Sequence, residues 1–248
     1  MASEDEDQQS PFAKPGFLVA AVIVALVVVA GVILGIVNAT QDDPESNAAT
    51  PSPSTTSTRP IPTQTEAAGQ GSICDLPGES LSGTVSVPPE TVWEYQDTIA
   101  FPTSEEFGPG ETSTDSVRYC FQRSPEGALF AAANGLVQGS GPSSAAWIEY
   151  FLANDALNRQ DLVEEVGQGA APDTRLNLEG FKVLSYDGSA ARVDIAARGT
   201  GSGQSVYVSV VYDLVWQDGD WKLSPQDSSN PLRMAQIPDL AGYVTWRE

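Results

Sequence analysis

Three carboxylates, Asp155, Asp194 and Asp213, stand near predicted secondary structure and are the chain's candidates for general acid–base work. That work needs a carboxyl group of raised pKa beside a cavity of substrate size. Asp194 alternates with Val193 and Ile195, so it is expected to point away from the core. Asp213 follows Tyr212 and reaches the inner face only if a bulge shifts the strand register. Asn134 lies within the apolar run SPEGALFAAANGLVQG, residues 124–139, with no polar partners evident around it. It is expected to be a packing position, and no catalytic residue is assigned.

Metal chemistry has little to stand on. The chain has no His and no Cys-x-x-Cys pair, which removes the common zinc and thioredoxin-type motifs. Asp42-Asp43 and Asp218-Gly219-Asp220 lack the alternating acids, the Gly and the closing Glu of a calcium loop. A solvated linker and a hairpin turn are the better readings, and no metal or cofactor is expected. A net charge of -21 repels phosphates, so direct nucleic acid binding is not expected either.

The elements that would position any site begin after a long leader. Residues 1–16 form an acidic tail that includes Glu4-Asp5-Glu6-Asp7. Residues 17–37, FLVAAVIVALVVVAGVILGIV, carry no charge and are long enough to cross a bilayer as a helix. A cleaved signal peptide competes with this reading, because Lys14 precedes the run and Val37-Asn38-Ala39 resembles a cleavage site; the length favours an anchor. Lys14 on one side, and no Lys or Arg before Arg59 on the other, puts the N terminus in the cytoplasm and the rest outside the cell membrane. Residues 38–72 are rich in Ser, Thr and Pro and read as a disordered tether. Cys74 and Cys120 both follow the anchor, where an oxidising compartment permits a disulfide; two unpaired buried thiols are the alternative.

Residues 73–123 read as an irregular extension with one or two short strands, broken by Pro and Gly and anchored by Trp93 and Tyr95. The pattern changes at Ser124, a good N-cap followed by Pro125 at the first helical position. Three helices are expected: Glu126 to about Val137, then SSAAWIEYFLAND with Trp147, Tyr150 and Phe151 on one face, then LNRQDLVEEVGQ. From residue 175 the sequence alternates with period two through four strand-like segments, with Asp187-Gly188 and Asp218-Gly219 as hairpin turns. Residues 124–248 are therefore expected to form an extracytoplasmic α+β domain, three N-terminal helices packed on a curved antiparallel sheet.

That order, with Trp216 and Trp221 near the late strands, resembles the nuclear-transport-factor-2-like fold, a cone of helices and sheet. One membrane span, a polar linker and such a domain outside resemble the bitopic scaffold subunit of type IV secretion systems and TcpC-type conjugation proteins. Pro102, Ser104, Gly108 and Pro109, then Ser124, Pro125, Gly127, Ala128, Leu129, Ala131 and Ala132, are similar to a family of actinobacterial membrane proteins associated with conjugative and integrative elements. The resemblance spans roughly residues 93–248. It implies a non-catalytic scaffold or assembly component of a Gram-positive conjugative apparatus. The expected partners are other membrane subunits of a transfer or secretion complex, or further copies of the chain. A lipid- or small-molecule-binding module associated with a transport locus is the other function class.

Overall fold

The computed structural model describes residues 71–166, 175–201, 204–226 and 231–248. The expected tail, the 17–37 span and the tether up to residue 70 lie outside these residues. No helix among the described residues is long and apolar enough to cross a membrane.

The described residues do not open with helices. Two hairpins precede them: β1 (Val92–Gln96) with β2 (Ile99–Thr103), and β3 (Glu111–Thr112) with β4 (Arg118–Tyr119). The described residues are 41% strand and 18% helix, which overturns the expectation of three N-terminal helices on a nuclear-transport-factor-2-like cone; the expected membrane helix at 17–37 lies outside them. The physical reason lies in residues 92–119. Pro102 and the turn residues suggested irregular chain, but Pro102 sits opposite Trp93 in a two-stranded ribbon, where a missing N–H is tolerated. Asp97 turns that ribbon with a φ of 55°, a conformation Asp adopts more readily than most residues.

Three helices follow: α1 (Pro125–Gly139), α2 (Ser144–Phe151) and α3 (Arg159–Val166). The Ser124 side chain accepts a hydrogen bond from the Gly127 N–H at 3.0 Å, and Pro125 occupies the first turn. α1 is buried on every side from Gly127 to Gln138, as a helix without a polar face must be. It packs on β2 and β4 and also on the strands that follow the helices. Its small residues permit this: a Cβ at Gly135 would press on the rings of Trp147, Phe151 and Tyr212 at 3.3–3.4 Å. This end of α1 is therefore packed against the core, although Asn134 and Gly135 are weak helix formers.

The large sheet is antiparallel, built from β5 (Arg175–Tyr186), β6 (Ala190–Gly201), β7 (Gln204–Gln217), β8 (Asp220–Leu223), β9 (Arg233–Ile237) and β10 (Val244–Thr245). Its order is β10-β5-β6-β7-β8, and β9 also pairs with β7. β8 lies along Leu214–Gln217 and β9 along Tyr207–Val211, so two strands share one edge of the long β7. Val193, Ile195, Val210, Tyr212 and Leu214 turn their side chains into the core. Trp246 closes that core against Trp93, Phe130 and Phe181, and its Nε1–H donates to Thr91 Oγ1 at 3.0 Å.

Candidate functional site

Two buried polar centres stand beside the apolar core. The first is built on α1 and β4. Asn134, fully buried, accepts from Arg118 Nε at 2.7 Å and donates to the Pro102 and Phe130 carbonyls at 2.9 and 3.0 Å. One turn later Gln138 accepts from the Arg118 backbone N–H at 2.6 Å and donates to the Arg118 carbonyl at 3.2 Å. Arg118 Nη1 donates to Gln96 Oε1 at 2.8 Å, and the guanidinium lies 3.8 Å from the centre of the Phe101 ring. Helical spacing puts Asn134 and Gln138 on one face, and that face meets β4. Asn134 thus has the polar neighbours that could not be found in the sequence, and it joins both hairpins to α1.

Arg118 is only 8% exposed, and no carboxylate pairs with it among the described residues. Burial lowers its pKa to about 10, opposed by Glu94, so it stays charged at neutral pH. It belongs to the lining of a cleft of about 950 Å³ between the two hairpins. Glu94, Asp97, Glu105 and Asp115 are exposed around the same cleft.

The second centre is Asp220, 1% exposed at the start of β8. Its carboxylate accepts four hydrogen bonds, from the backbone N–H groups of Cys120, Phe121 and Trp221 and from the Tyr150 hydroxyl, all at 2.8–2.9 Å. Cys120 has a φ of 68°, and this turn presents two successive N–H groups to one carboxylate. Burial pushes the Asp220 carboxyl up from its ordinary value, and the donated hydrogen bonds pull against that. Lys222 Nζ lies 3.2 Å from the centre of the Tyr150 ring and donates to the Tyr150 carbonyl at 3.0 Å. Burial lowers its pKa to about 8, opposed chiefly by Asp220. Cys120 is also joined to Cys74, with 6.0 Å between their Cα atoms. The disulfide and the Asp220 clamp therefore fix the same turn from two sides.

The three sequence-chosen acids are not brought together at either centre. Asp155 is exposed. Asp194 leaves the core face as its alternation requires, yet it is only 7% exposed because Ser209 and Tyr243 cover it with hydrogen bonds of 2.6 and 2.7 Å. β6 and β7 pair without a register shift, so Asp213 stays opposite Tyr212 and binds Arg192 at 2.6 Å and Arg233 at 2.8 Å. None of the three lines the cleft. Asp220 was read as a turn residue leading into a strand-like segment, not as a buried carboxylate. The signal that could have found it is an acid and a base alternating with Trp221 and Leu223 in so short a strand, where all four prove buried.

A family model described as a domain of unknown function, DUF8175, matches residues 51–245. The chain belongs to the DUF8175 family. The match takes in both hairpins, all three helices, the large sheet up to β10 and both polar centres. No curated protein and no solved structure matches the chain. Membership of DUF8175 brings no activity with it, so function rests on the geometry and the sequence.

Proposed function

We propose that this DUF8175 chain is a single-pass membrane protein whose disulfide-bonded domain acts outside the cell membrane as a non-catalytic scaffold or assembly component of a Gram-positive, type IV secretion-like conjugative apparatus. The observation that carries this reading is the Cys74–Cys120 bond, the kind of link that persists in oxidising compartments. It follows the apolar 17–37 segment and the Ser/Thr/Pro-rich tether, the order expected of an anchor, a spacer and an exported domain. A non-catalytic role is supported by the buried carboxylates of Glu179, Asp194 and Asp220, each of which is engaged by donors of the fold itself. The partners are other membrane subunits of the complex, with further copies of the chain among them.

The test is purification of the full chain from membranes in mild detergent. Co-purification with a secretion ATPase or channel subunits, together with loss of transfer on deletion, is the expected result. Normal transfer after deletion would overturn the reading. A second reading, an extracytoplasmic module that binds a lipid or small molecule, is favoured by the cleft beside Arg118. A stoichiometric small molecule in the purified protein, without partner subunits, would select it.

A further inference from the structure

Arg118 carries a buried charge that no carboxylate pairs with among the described residues. A buried guanidinium is costly unless its N–H groups and its charge are both met. Here Nε meets Asn134, Nη1 meets the neutral Gln96 amide, and Nη2 is shut off from water with no acceptor among the described residues. Stacking on Phe101 offsets part of the cost and Glu94 acts on the charge from a distance, but no carboxylate pairs with the guanidinium among the described residues. Gln96 is half-buried, belongs to the cleft lining and stands at the end of β1. An acidic residue there would have completed an ordinary ion pair, and the chain carries an amide.

The cleft mouth has the opposite character. Glu94, Asp97, Glu105 and Asp115 surround an interior whose one basic lining residue is Arg118. Polyanions such as phosphates are repelled by that mouth, whereas a cation is drawn to it. The arrangement is complementary to a ligand of two unlike ends.

We propose that the cleft between the β1–β2 and β3–β4 hairpins binds a zwitterionic ligand, whose carboxylate replaces the Gln96 amide on Arg118 while its cationic group lies among the acids of the mouth. In that position the carboxylate accepts from Nη1 and Nη2 together, the bidentate geometry that favours Arg over Lys. A free amino acid and the end of a peptide chain with a basic residue both present this chemistry. The assignment does not rest on the transfer-apparatus reading.

The experiment is calorimetric titration of the full chain in detergent with the tripeptide alanyl-alanyl-lysine, its C-terminal amide, and free lysine. The free-acid tripeptide or free lysine is expected to bind saturably, with the amide weaker by about tenfold or more. Tighter binding of the tripeptide identifies a chain end as the source, and equal or tighter binding of lysine a small molecule. Gln96→Glu, which gives Arg118 a carboxylate from the chain itself, is expected to abolish binding and raise the Tm. Gln96→Leu removes the competing amide without adding charge and is expected to bind at least as tightly as the native chain. Absence of binding by both acids, equal binding of acid and amide, undiminished binding by folded Gln96→Glu, or lost binding by folded Gln96→Leu would each overturn the proposal.

Discussion

Asn134 and Arg118 depend on each other. Removing the amide by Asn134→Ala leaves a charged N–H and the Pro102 carbonyl without their partner in a water-free place. We expect a loss of about 3 kcal/mol in urea unfolding, the cost of stranding buried polar groups, one of them charged. The partners lie 16 and 32 positions from Asn134 in the chain, and for that reason the network was illegible in the sequence. Local pattern reports which face a residue occupies, not what distant segment meets it. Lys222 gives a second residue-scale prediction. Its folded pKa, about 8, lies below the ordinary 10.5, so between those values the unfolded chain holds more protons and stability rises with pH. Below about 8 the burial penalty is present in full. The Tm of the native chain should therefore climb relative to that of Lys222→Met as pH goes from about 8 toward 10, and parallel curves would refute the assignment.

At the scale of elements, the start of α1 is the best test of a local rule. Ser124→Ala deletes the side-chain acceptor for the Gly127 N–H, and we expect about 1 kcal/mol of destabilisation by chemical denaturation. This cap was legible because Ser-Pro ahead of an apolar run states its own geometry. β5 to β8 were legible too, since alternation over long segments and the Asp-Gly turns between them leave little choice. The hairpins before α1 were legible only as one or two short strands in an irregular extension. β3 and β4 are two residues each, too short to show a period, and β2 contains Pro102. Reading that stretch as an extension outside the domain placed the helices first and produced the wrong architecture. The complete burial of α1 was half legible: its small residues announced close packing, but not that the hairpins pack on it as well as the sheet.

Across the whole molecule two links hold distant parts of the chain together. The Cys74–Cys120 bond spans 46 positions, and loop-closure entropy assigns it about 4 kcal/mol. Replacing both cysteines with Ala should lower stability by that order in denaturant unfolding and leave the non-reducing gel mobility insensitive to reductant. Trp246 is the other link. Trp246→Ala opens a hole among three aromatic rings and should cost about 3–5 kcal/mol. Its indole N–H reaches back 155 positions to Thr91. Closure of the core must therefore wait for a segment that follows every strand and helix among the described residues. Contacts of such long sequence separation slow folding. A chain built this way leaves its core unsealed until its last aromatic side chain has arrived.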